Sequence, residues 1–120
     1  MKILLVEDEK FILECMAQIL TQEGYSVYTA DNYEEAIEII STENLNLIIS
    51  DIMLPYIGGF DILDFVKSDP KKKNIPVILI TGMDEGILEN TLLKADACIT
   101  KPFTSRQLLN RIKTFVLVPG

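Results

Sequence analysis

Apolar residues along this chain fall into two rhythms. Short aliphatic runs such as 2–6 (Lys-Ile-Leu-Leu-Val) and 47–51 (Leu-Ile-Ile-Ser-Asp) alternate with stretches in which apolar pairs recur every fourth residue. Continuous Ile/Leu runs bounded by polar residues predict strands buried on both faces. The four-residue recurrence predicts amphipathic helices. From Lys10 the pairs Phe11-Ile12, Cys15-Met16 and Ile19-Leu20 predict a helix with that face inward, and Gly24 closes it in the manner of a left-handed C-terminal cap. Residues 25–30 alternate with aromatic and β-branched side chains, which predicts a strand at or near a sheet edge.

The second half repeats the scheme. Asn32 with Glu35 is close to a capping box, opening a helix that carries Ala36-Ile37 and Ile39-Ile40. The 47–51 strand ends on Asp51, and Pro55 forces the chain to turn soon after. Gly58-Gly59 supplies a turn, and Phe60, Ile62-Leu63 and Phe65-Val66 predict a helix ending before Pro70. Lys71-Lys72-Lys73 reads as a solvated loop. Residues 75–81 predict another buried strand, 84–93 a weak and short helix, and 97–100 a last short strand. Thr104 and Gln107 then form a second capping box, for a helix with Leu108-Leu109, Ile112 and Phe115-Val116 inward. Five β-α repeats without an internal linker predict a single domain over 1–120. Its fold class is α/β: a doubly wound five-stranded parallel sheet with helices on both faces and all strand carboxyl ends along one edge. Strand order does not follow from the repeats.

Composition narrows the function classes. The 120 residues are 48% hydrophobic, ample for one packed core, and the net charge of −7 argues against nucleic-acid binding by this domain. No Arg-rich leader opens the chain and its apolar runs are too short to span a bilayer, so the expected location is cytoplasmic. Cys15 and Cys98 lie in apolar surroundings without metal-ligand spacing and read as reduced core residues. Histidine is absent, which leaves carboxylates to carry any chemistry.

The chemistry gathers at the strand tips. Glu7-Asp8 follow the first strand, Asp51 ends the third, Thr81 the fourth, and Lys101 follows the fifth. Crowded carboxylates repel unless a cation sits among them, and hard oxygen donors suit Mg²⁺. Mg²⁺, an ammonium and a hydroxyl around one carboxylate make a phosphoryl-transfer site with that carboxylate as nucleophile.

Glu7-Asp8, Asp51 with Pro55 and Gly59, Thr81-Gly82 and Lys101-Pro102-Phe103 together resemble the motif set of the receiver domain of bacterial two-component response regulators. The resemblance covers essentially the whole chain, and the joint spacing is specific where any single motif is weak. It implies the flavodoxin-like strand order 2-1-3-4-5. It also implies that Asp51 accepts a phosphoryl group from a phosphohistidine on a kinase or phosphotransfer protein. Asp8 and Asp51 would bind Mg²⁺ through carboxylates, Met53 through its backbone carbonyl and Glu7 mainly through water. Thr81 and Lys101 would each engage a phosphoryl oxygen, and the Lys101-Pro102 peptide bond is expected to be cis. The fourth helix, fifth strand and fifth helix are the implied switching and dimer face; the output domain or effector stays unspecified.

The chain departs from the family pattern in places. Cys98 stands where an aromatic ring usually moves with the threonine, so the switch here would rest on Thr81 and its loop. Lys94 replaces a usual glycine. By the resemblance, Met53 and Met83 occupy positions that flank the line of attack in the family, and neither can orient water, which predicts slow self-hydrolysis of the phosphorylated form. The expected role is a signalling switch, not an enzyme. A small Mg²⁺ phosphohydrolase is the runner-up, and it lacks a carboxylate two residues after Asp51. A flavodoxin-like cofactor protein is disfavoured by Glu7-Asp8-Glu9, which would repel a nucleotide phosphate.

Overall fold

The computed structural model describes residues 1–51, 59–82 and 95–116. Strands β1 (Lys2–Val6), β2 (Ser26–Ala30), β3 (Leu47–Asp51), β4 (Val77–Thr81) and β5 (Ala97–Thr100) form one sheet in the order β2-β1-β3-β4-β5, every pair parallel. Four helices connect or follow them among the described residues: α1 (Lys10–Gln22), α2 (Tyr33–Thr42), α3 (Gly59–Ser68) and α4 (Ser105–Val116). The predicted helix at 84–93, with Met83 and Lys94, lies outside the described residues, as do Met53, Pro55 and Gly58.

Successive strand residues alternate between faces, and here they divide between two apolar clusters. Leu4, Val6, Ile48, Val77 and Leu79 pack with Ala36 and Ile40 of α2 and Ile62, Leu63 and Val66 of α3. Ile3, Leu5, Leu47, Ile49, Ile78 and Ile80 pack with Leu13, Met16 and Leu20 of α1 and Leu108 and Ile112 of α4. β3 and β4 are buried at every position, the burial their unbroken aliphatic runs predict. The 75–81 run is ordered as strand only from Val77, because Pro76 has no N–H to donate.

Helix ends follow the local chemistry. Asn32 Oδ1 accepts the Glu35 N–H at 2.9 Å while Asn32 Nδ2 donates to Glu35 Oε1 at 3.1 Å. Thr104 and Gln107 exchange bonds reciprocally, Gln107 N–H to Thr104 Oγ1 at 3.1 Å and Thr104 N–H to Gln107 Oε1 at 2.8 Å. Gly24 follows α1 with φ of +93°, a conformation that glycine takes without steric cost.

The inward face of α1 differs from the expected one. Leu13, Met16 and Leu20 are buried, whereas Phe11 is 78% exposed and Cys15 is also exposed. The apolar stripe is wider than the face the sheet covers, and the sheet takes the edge that includes Leu13. Cys98 is half-buried instead of a core residue, because β5 is an edge strand with two half-buried positions at its start.

Candidate functional site

Four strand ends build the site. Glu7 continues the β1–β2 ladder by donating its N–H to the Ala30 carbonyl at 3.1 Å, and this carries its side chain to the carboxyl edge of the sheet. It is 1% exposed, while Asp8 beside it is open to solvent. Asp51 ends β3 and is buried, its partner across β4 being Ile80. Thr81 is the next residue of β4, also buried. Lys101 follows β5 and donates its N–H to the Thr81 carbonyl at 2.7 Å, so the ladder runs one step past the last strand residue. The Lys101-Pro102 peptide bond is cis.

The side chains converge. Glu7, Asp8 and Asp51 each present a carboxylate oxygen, and these atoms lie within 4.8 Å of one another. Lys101 Nζ donates to Asp51 Oδ2 at 2.6 Å and lies 3.5 Å from Glu7 Oε1. Both Glu7 carboxylate oxygens are buried without a hydrogen-bond partner, which is costly for an ionised group. Burial first, then the acceptor oxygens and negative charge of Asp51, push the Glu7 carboxyl up to about 8, with Lys101 offsetting part of this. Burial pulls the Lys101 ammonium down, but the hydrogen bond and charge of Asp51, with Glu7 behind it, prevail and hold it above its ordinary value.

Such a pocket fits a divalent cation. Three hard carboxylate donors lie within one coordination sphere's reach, and the orphaned Glu7 oxygens await a partner that one ammonium does not supply. Glu7 and Asp8 precede the N-cap of α1 and stand outside its first turn. Their proximity to Asp51 is therefore their principal relation.

The sequence matches the response regulator receiver domain family over residues 3–113. This chain belongs to that family. The receiver domain is 38% identical to the transcriptional regulatory protein CusR of Escherichia coli K12, over 97% of this chain and 51% of CusR. Among solved structures it resembles the chemotaxis response regulator CheY4 of Vibrio cholerae, with a TM-score of 0.89 at 26% identity, covering 95% of this chain and 97% of that one. It also resembles the response regulator TrrA of Thermotoga maritima, solved in complex with Mg²⁺-BeF, with a TM-score of 0.85 at 32% identity, covering 95% and 97%. The receiver domain spans about half the length of the curated relatives it matches. Receiver domains of this family are signalling modules that interact with histidine kinases and output domains.

Of the expected site residues, the fold gathers Glu7, Asp8, Asp51 and Lys101 and sets Thr81 on the neighbouring strand; Met53 lies outside the described residues. Cys98 sits on β5 beside a cleft of about 490 Å³ that is lined also by Gln107, Asn110 and Arg111 of α4. Sequence reasoning missed Lys67, Asp96 and Asn46, whose polar contacts at the opposite edge of the sheet tie the strands that carry Asp51 and Lys101. The only hint was a polar residue standing directly before each of two aliphatic strands.

Proposed function

We propose that this receiver domain, as a single domain over 1–120, takes a phosphoryl group onto Asp51 from a phosphohistidine of a histidine kinase or phosphotransfer protein. One observation carries the reading: the only ammonium described in the site sits 2.6 Å from a buried strand-end carboxylate ringed by two further carboxylates. An Asp51 oxygen forms the new O–P bond as the P–N bond to the donor imidazole breaks, giving an aspartyl phosphate. Asp8 and Asp51 would hold Mg²⁺ by their carboxylates, Glu7 mainly through water, and the Met53 carbonyl would complete the protein donors. Bound there, the ion neutralises charge on the transferring phosphoryl oxygens. Thr81 donates to one phosphoryl oxygen, and Lys101 exchanges its bond to Asp51 for one to another. Mg²⁺ with a fluoroberyllate in the relative TrrA supports this donor set.

The two core clusters support the doubly wound form, with helices on both faces of the sheet. Phosphorylation would shift the balance between two arrangements through Thr81, with Cys98 a passive neighbour, and alter the face of the 84–93 segment, β5 and α4, which also offers the dimer surface. An output domain or effector reads that change. A kinase partner agrees with a cytoplasmic place, and among the described residues no helix is long and apolar enough to cross a membrane. The domain is a switch and not a dedicated enzyme, for no carboxylate stands two residues after Asp51 to speed product release.

Incubation with acetyl phosphate and Mg²⁺, read by intact mass, tests this. One phosphoryl adduct, dependent on Mg²⁺, is expected; steady turnover of a phosphate ester without an adduct contradicts it. Because neither Met53 nor Met83 can orient a water, the adduct should outlast minutes after removal of the donor. Loss within seconds refutes that lifetime.

A further inference from the structure

The strands that bring Asp51 and Lys101 together are tied at their far ends by the same device. Asn46, directly before β3, accepts the Lys2 N–H on Oδ1 at 2.7 Å and returns its own N–H to the Lys2 carbonyl at 2.8 Å. Asp96, directly before β5, accepts the Val77 N–H on Oδ2 at 2.8 Å and returns its own N–H to the Val77 carbonyl at 3.0 Å. Each short side chain closes a reciprocal pair one step ahead of the ladder, so register is set before the first strand residue. Asn46 stands as far before Asp51 as Asp96 stands before Lys101 in the chain.

The second tie is reinforced. Lys67 Nζ, at the end of α3, donates to Asp96 Oδ2 at 2.9 Å and to the carbonyls of Lys73 at 3.1 Å and Ile75 at 3.0 Å. An ammonium has three protons, and these three acceptors use them all. The end of α3, the approach to β4 and the entry of β5 are thereby joined at one nitrogen. β5 needs such help, being four residues long at the edge of the sheet. A slip of one residue there would turn Ile99 out of the core and move Lys101 by about 3.3 Å along the strand, out of reach of Asp51.

We propose that Asp96 and Lys67 are positioning residues for phosphoryl transfer: by pinning the entry of β5 they set the depth at which Lys101 meets Asp51. The inference rests on the reading of Asp51 as phosphoacceptor. It separates two quantities, because Glu7, Asp8 and Asp51 reach the site from β1 and β3, whereas Lys101 alone depends on β5.

The test uses the full chain, with Asp96→Ala and Lys67→Met compared with wild type. Phosphorylation by acetyl phosphate at saturating Mg²⁺ is followed by intact mass, and Mg²⁺ affinity by titration with MgCl₂. Both variants are expected to lower the phosphorylation rate constant by roughly tenfold or more while the Mg²⁺ dissociation constant stays within about twofold. Lys67→Met leaves the Asp96–Val77 pair in place and keeps the test decisive if Asp96→Ala does not fold. A folded Lys67→Met chain phosphorylated at the wild-type rate overturns the proposal. So does a parallel loss of Mg²⁺ affinity and rate, which would mark general damage. A wild-type chain that takes no phosphoryl group overturns the underlying reading, and this one with it.

Discussion

Glu7 is a residue whose state depends strongly on its surroundings. Its carboxyl is raised to about 8 from 4.5, so the metal-free folded domain holds a proton there that the unfolded chain releases. A raised carboxyl contributes stability that is full below the unfolded value and is lost as pH climbs through the folded one. Metal-free stability should therefore fall between pH 5.5 and 7.5, by at most about 1.4 kcal/mol per pH unit. The chain has no histidine, the side chain that ordinarily titrates in that window. Urea unfolding in chelator at the two pH values reads the slope, and Glu7→Gln should flatten it. An unchanged slope in Glu7→Gln would place its origin elsewhere. The same proton opposes cation binding, so Mg²⁺ affinity should rise with pH over this range, and an affinity independent of pH would contradict the shift.

At the scale of elements, local signals were readable wherever neighbours in sequence settle the outcome. Both capping boxes, the positive φ of Gly24 and the full burial of β3 and β4 follow from side chains within a few positions of one another. The buried face of α1 was not readable, since its apolar stripe is broad enough to present either Leu13 or Phe11 inward, and only the sheet beneath chooses. Asp96 and Lys67 were invisible for the same reason: their partners lie far along the chain, and a polar residue before a strand is ordinary. The cap on α4 gives a direct check of local energetics. Thr104→Ala should cost about 1 kcal/mol in urea unfolding and leave Mg²⁺ affinity unaltered. A change in that affinity would mean that the start of α4 reaches the site.

For the whole molecule, the strand-tip residues were legible because a parallel sheet collects every carboxyl end on one edge, whatever the strand order. The order β2-β1-β3-β4-β5 adds what the repeats alone lacked: it sets β3 between β1 and β4, so Asp51 sits among the acidic pair, Thr81 and Lys101. The electrostatic relation within that group, a buried Glu7 carboxylate that has an ion pair to Lys101 but no hydrogen bond and an exposed Asp8, came only with three dimensions. The central claim is that the acceptor oxygen belongs to Asp51. Borohydride reduces an aspartyl phosphate to homoserine, so treating the phosphorylated chain with it and mapping peptides by mass locates the acceptor. Homoserine is predicted at position 51 and nowhere else, and it should vanish in Asp51→Asn. Reduction at another aspartate in the wild-type chain would contradict the account.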